Sequence, residues 1–146
     1  MKLYIINGPN LNMLGIREPG TYGSTSYNDM ISMIDEHCES NGITPVFYQS
    51  NSEGGLVDKI QEAYFEGANG IIINPGAYTH TSIAILDAIK ATSLPAVEVH
   101  ISNLAEREDF RQISYVRAAC KTSIIGHGIE GYLEAVDYLK KLLSNK

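Results

Sequence analysis

The chain has 146 residues, 44% hydrophobic and 19% charged, a balance that fits one compact domain over residues 1–146. A net charge of −6, with the eleven lysines and arginines scattered apart from Lys140–Lys141, argues against a nucleic-acid partner. No apolar run approaches the roughly 20 residues of a membrane span, and the apolar part of MKLYIING is too short for a signal peptide, so the expected compartment is the cytoplasm.

In chain order, LYIIN from Leu3 reads as the first strand. The loop INGPNLNMLGIREPGTYG, Ile6 to Gly23, follows it and gathers Asn7, Asn10, Asn12, Arg17 and Tyr22 with little to bury. Tyr27, Met30, Ile31, Ile34 and Cys38 recur at three and four residues, a helical stripe with Ser24 or Thr25 as N-cap and Gly42 as stop. TPVFY from Thr44 is the second strand; Ser52 then caps a helix carrying Leu56, Ile60, Ala63 and Tyr64, stopped by Gly67. GIIIN from Gly70 is the third strand, followed by NPGAYTH and a helix with Ile85, Leu86 and Ile89. AVEVH from Ala96 is the fourth. The stretch from His100 to Lys121 is polar without a clean apolar stripe, and long polar connections tend to be functional. TSIIG from Thr122 is the fifth strand, and Ile129, Tyr132, Leu133, Val136, Leu139 and Leu143 mark the last helix.

Ile- and Val-rich runs without period-2 alternation suit strands buried on both faces, and right-handed crossovers between them make the sheet parallel. The predicted fold is α/β: a flavodoxin-like three-layer sandwich around a five-stranded parallel sheet of order 2-1-3-4-5.

Ligands of such sheets bind beyond the carboxyl ends of the strands. Here those ends read NGPN, YQSN, NPGAYTH and VHISN, with His80 and His100 among them. Glu98 and His100 are two apart on a strand and share a face, while Val97 and Val99 take the other. A carboxylate beside an imidazole orients it and favours its protonated form, which makes His100 a candidate general acid; a buried structural ion pair is the other reading. Tyr22 shares its loop with Arg17, and guanidinium groups, with Arg107 and Arg111 further along, favour a phenolate that could act as base. From the residues alone, an ordinary exposed loop tyrosine is the better reading. Cys38 and Cys120 are too few and too far apart for a disulfide framework, and no Cys/His zinc spacing occurs. GHGIEG, Gly126 to Gly131, matches GxGxxG after a strand, but the dinucleotide fingerprint needs a later strand with an acidic residue. These glycines are expected to serve a tight turn and close helix–sheet packing.

Over essentially its whole length the chain resembles the type II 3-dehydroquinate dehydratases (type II dehydroquinases). The resemblance rests on INGPNLNMLGIREPGTYG, QSNSEGGLVDKIQ, GIIINPGAYTHTSIAILDAI, VEVHISN, REDFR, SYV and the late GxGxxGY, in that order. It implies a dehydratase that needs neither metal nor cofactor, assembles as a dodecamer (a tetramer of trimers), and converts 3-dehydroquinate to 3-dehydroshikimate by anti-elimination of water through an enolate, a step of the shikimate pathway of aromatic amino acid biosynthesis. By position, Tyr22 would be the base, with Arg17 on a lid loop and Arg107 holding it as phenolate. Asn10, with the Pro9 carbonyl, would hold the water that stabilises the enolate oxygen. His100 would protonate the departing hydroxyl, steered by Glu98. Asn74, His80, Ile101, Ser102 and Arg111 would grip the substrate, Ala77 would support them, and Asp87 would reach a neighbouring subunit's site. The alternative is a nucleotide- or flavin-binding module on the same fold. Two stretches depart from the family pattern: Gln112–Ile113 follows DFR, and KTSIIGHGIEGY replaces a run containing GVICG, which reads as core variation.

Overall fold

The protein was analysed as a computed structural model that describes residues 1–16 and 24–145. Its strands are β1 Lys2–Asn7, β2 Thr44–Gln49, β3 Gly70–Asn74, β4 Ala96–His100 and β5 Thr122–Ile125, and its helices are α1 Tyr27–Ser40, α2 Glu53–Phe65, α3 Ile83–Thr92 and α4 Glu130–Ser144. The strands form one parallel sheet in the order β2-β1-β3-β4-β5, as the alternation of strand and helix predicts. All five residues of β3 and of β4 are buried, whereas β2 and β5, at the edges, are only partly covered.

Alternate residues feed two cores. Leu3, Ile5, Ile72, Val97 and Val99 pack under α1 and α4 against Met30, Ile34, Tyr132 and Val136. Tyr4, Ile6, Ile71 and Ile73 pack on the other face against Leu56 and Ile60 of α2 and Ile85 and Ile89 of α3. Each fully buried Ile or Leu contributes about 1.5–3 kcal/mol, so the central strands hold the sheet in register.

The helix signals hold with one shift. Ser26, rather than Ser24 or Thr25, caps α1 and accepts a hydrogen bond from the Asp29 N–H at 3.1 Å. Only the residue directly before Tyr27 sits where its hydroxyl can reach the third amide of the helix. Ser52 caps α2 as expected, accepting from the Gly55 N–H at 3.1 Å. Gly42 and Gly67 lie just beyond α1 and α2 with φ of 69° and 72°, where a side chain would be strained. The polar connection after β4 folds into three short 3-10 turns, Leu104–Glu106, Asp109–Arg111 and Val116–Ala119, and Val116 anchors it in the second core.

Parallel register brings the polar strand ends level. Asn7 pairs with Asn74 and with Gln49, while Ile73 pairs with Glu98 and Glu98 with Ser123. The polar strand ends therefore gather along the carboxyl edge of the sheet.

Candidate active site

The loops after β1 and β3 form the floor of this edge, and they nearly touch. A Cβ on Gly8 would lie 2.5 Å from the Pro75 carbonyl oxygen, so only glycine lets the two turns meet. The Gly8 N–H donates to the Asn74 carbonyl at 2.8 Å. Asn10 follows in the left-handed region at φ 70°, a conformation asparagine tolerates better than most residues, and its N–H donates to Asn51 Oδ1 at 3.0 Å.

Beneath the floor runs a buried polar chain. Asn74 Oδ1 accepts from the Gly76 N–H at 3.1 Å, and its Nδ2 donates to Tyr132 Oη at 3.0 Å. The Tyr132 hydroxyl donates to Asn7 Oδ1 at 2.6 Å, and Asn7 Nδ2 reaches Tyr27 Oη at 3.5 Å. One hydroxyl on α4 thus orients the amides that end β1 and β3. Burial raises the proton affinity of both Tyr132 and Tyr27, so each stays a neutral phenol.

Above it lies a cavity of about 110 Å³. Pro9 and Asn10 line it after β1, Asn74, Ala77 and His80 after β3, and His100, Ile101 and Ser102 after β4. Arg107 and Arg111 reach it from the 3-10 turns. Ten of the residues singled out from sequence therefore share one wall-to-wall site. Asp87 is exposed on α3 and lies outside this lining. Arg17 and Tyr22 lie outside the described residues.

Several of the polar groups here are held by neighbours. His100 Nε2 meets Glu98 Oε2 at 2.8 Å, which leaves Nδ1 as the ring nitrogen available to a ligand. His80 Nδ1 donates to the Ile113 carbonyl at 2.7 Å. Arg107 Nη1 donates to Ser102 Oγ at 3.3 Å. Arg111 Nε bonds Glu108, and Gln112 ties the connection together by donating to the Leu104 carbonyl at 2.6 Å. Gln112, a departure from the family pattern, therefore braces the turn that carries Arg111.

Glu98 sits behind His100, fully buried on the face opposite Val97 and Val99. Its Oε2 also accepts from Thr79 Oγ1 and from Ser114 Oγ at 2.8 Å, and its Oε1 from Ser123 Oγ at 2.8 Å and Arg117 Nε at 3.3 Å. Burial, the largest single influence, pushes the carboxyl up. The bond and charge of His100, with the Thr79 and Ser114 hydroxyls, outweigh it and bring the carboxyl down to about 2. Sequence reasoning passed over Thr79, Ser114, Arg117 and Ser123. The signal that finds them is Glu98 itself: a carboxylate in the middle of a fully buried strand demands donors from whatever surrounds it. Ser123 also corrects the reading of KTSIIG as core variation, because one of its residues bonds that carboxylate.

The GHGIEG stretch does what its glycines were expected to do. Gly126 and Gly128 take φ of 82° and 61° in the turn, and a Cβ on Gly131 would come within 3.3 Å of Ile124 and 3.4 Å of Val99. Cys38 and Cys120 are free thiols. Among the described residues no group of three or more His, Cys, Asp or Glu could hold a metal, and no helix is long and apolar enough to cross a membrane.

Comparison with known proteins points to one family. A family model described as Dehydroquinase class II matches residues 1–140. A 3-dehydroquinate dehydratase of Caldicellulosiruptor bescii is 53% identical over 97% of this chain and 98% of its own length. One of Fusobacterium nucleatum is 55% identical over 95% and 96%. The crystal structure of a type II dehydroquinase from Butyrivibrio crossotus superposes with a TM-score of 0.95 at 54% identity, covering 96% of this chain and 97% of that one. With a family model matched over residues 1–140, relatives above 50% identical and a superposable fold over nearly the whole length, the chain belongs to the class II dehydroquinase family.

Proposed function

We propose that the protein is a 3-dehydroquinate dehydratase, a hydro-lyase that removes water by anti-elimination to give 3-dehydroshikimate. The observation that carries this reading is His100 at the wall of a small cavity, with its Nε2 engaged by a buried carboxylate and amide, hydroxyl and guanidinium groups around it. Such a cavity suits a polyhydroxylated ring carrying a carboxylate: Arg111, His80, Asn74, Ser102 and the Ile101 segment offer polar contacts and a wall. A dehydratase is favoured over a nucleotide- or flavin-binding module because the loop after β1 carries Pro9 and Asn10 into the cavity rather than a phosphate cradle.

In the proposed reaction Tyr22, held as phenolate by Arg17 and Arg107, takes a proton beside the ketone. The electron pair moves to the carbonyl oxygen as an enolate, stabilised through a water held by Asn10 and the Pro9 carbonyl. The pair then returns to form the carbon–carbon double bond as the C–O bond breaks, and His100 protonates the departing hydroxyl so that it leaves as water. Acid–base assistance of this kind is worth roughly 10²–10⁴-fold per group, and stabilisation of the oxyanion often contributes more. The roles of Tyr22 and Arg17 rest on the family pattern.

The expected assembly is a dodecamer, a tetramer of trimers, with exposed Asp87 on α3 reaching a neighbour's site, and the expected compartment is the cytoplasm, in aromatic amino acid biosynthesis. Purified protein should form an enone absorbing in the near ultraviolet from 3-dehydroquinate, unaffected by EDTA. Tyr22→Phe should abolish this turnover and leave the circular dichroism unchanged. Folded protein without turnover would overturn the assignment, and an active Tyr22→Phe would remove the phenol from the mechanism.

A further inference from the structure

We infer that Arg117 is a positioning residue for the acid step: from the far side of Glu98 it orients that carboxylate and offsets its charge, and so sets the proton affinity of His100. The inference rests on the reading of His100 as the acid.

The two oxygens of Glu98 are divided between two sides. Oε2 faces His100, Thr79 and Ser114, and Oε1 faces Ser123 and Arg117. Arg117 acts on both. Its Nε donates to Glu98 Oε1 at 3.3 Å and to Ser123 Oγ at 3.2 Å, and its backbone N–H donates to Ser114 Oγ at 3.1 Å, the hydroxyl that bonds Oε2. Three of the five donors to Glu98 are neutral hydroxyls and a fourth is His100 itself. Among the described residues Arg117 is the one permanent cation paired with this carboxylate. Its side chain is 44% exposed and is absent from the cavity lining, so it acts on the acid without touching substrate.

The other charged or titratable groups around the pair come from several elements. His80, Arg107 and Arg111 line the cavity on the His100 side. Cys120 stands in the field of both Glu98 and Arg117. Burial first, and then the Glu98 charge, push its thiol up to about 12, so it stays neutral across the working range. Arg117 is thus the group whose charge can be removed without altering the substrate's contacts. Without it the carboxylate is less compensated, the imidazolium is favoured, and His100 keeps its proton to higher pH. A general acid works only while protonated, so the high-pH limb of kcat must move upward. Screening of a half-exposed cation limits the shift to about half a pH unit.

The test uses the full chain. The pH dependence of kcat and KM is measured for the parent, Arg117→Gln, Arg117→Met and Arg117→Lys. In parallel the His100 ring is titrated by NMR with histidine-labelled protein and assigned with His100→Ala. In Arg117→Gln, and again in Arg117→Met should the first not fold, both the His100 titration and the high-pH limb of kcat should rise by about half a unit. KM should stay within about twofold, and Arg117→Lys should restore the parent profile. A His100 titration that stays put or falls in folded variants overturns the inference. A titration that rises while the kcat limb stays still upholds the role of Arg117 and overturns that of His100 as the acid.

Discussion

Glu98→Gln removes one charge and keeps the shape of a side chain that accepts five hydrogen bonds. An amide in that place must turn its NH2 either towards Arg117 Nε, which can only donate, or towards His100, which must then give up its Nε2 proton. The cost follows from the depressed acidity of the carboxyl, about 2 in the folded chain against an ordinary 4.5. At about 1.4 kcal/mol per pH unit this is on the order of 3 kcal/mol of stability. Because the folded value is the lower one, the contribution is fully present above about pH 4.5 and is lost as pH falls towards 2. Urea denaturation of parent and variant, at one fixed protein concentration because an oligomer's stability depends on it, reads the difference. The gap should be ~3 kcal/mol at neutral pH and less than half of that near about pH 3. A gap of the same size at both would show that the loss comes from the misplaced amide donor and not from the charge, and the electrostatic account of the site would fail.

Gly8→Ala places a methyl against the Pro75 backbone, which cannot swing aside, and should cost about 1–3 kcal/mol in urea denaturation. It should also lower turnover at least roughly tenfold, since it parts the turns that carry Asn10 and Asn74; unaltered kinetics would contradict that. Tyr132→Phe leaves Asn7 Oδ1 and Asn74 Nδ2 each short of a buried partner, so about 2–4 kcal/mol should be lost together with a rise in KM, and a neutral outcome would mean the two amides find other partners. Burial pushes the Cys38 thiol up to about 11 and that of Cys120 to about 12, so iodoacetamide at mildly alkaline pH should label neither in the native protein and both in denaturant. Native labelling of Cys120 would show that its shelter opens.

The sheet was legible because the strands announce themselves. GIIIN has room for nothing but burial on both faces, and the helices between the strands carry single apolar stripes. The cavity lining was legible too, since strand ends in a parallel sheet converge and the polar residues there are local to each loop. What escaped notice comes from long-range contact. Ser114, Arg117 and Ser123 lie 16 to 25 residues from Glu98 and belong to no periodic pattern, so nothing local marks them as its partners. Tyr132 was hidden differently: its position in the apolar stripe of α4 is correct for its ring, and the stripe says nothing about where the hydroxyl ends. Ser26 was missed by one or two places because three hydroxyl residues stand in a row, and the helix selects among them by geometry alone.

The hydroxyl of Tyr132 lies 125 positions along the chain from the Asn7 amide that it completes. During synthesis, β1 and β3 emerge from the ribosome long before α4, and until then Asn7 Oδ1 and Asn74 Nδ2 lack the hydroxyl that they share. A nascent chain stopped short of Glu130 also lacks the part of the apolar cover that α4 adds beside α1 on one face of the sheet. The cleft is thus a late product of translation, assembled when the last helix docks, and arrested chains ending before that helix are expected to be inactive and readily proteolysed.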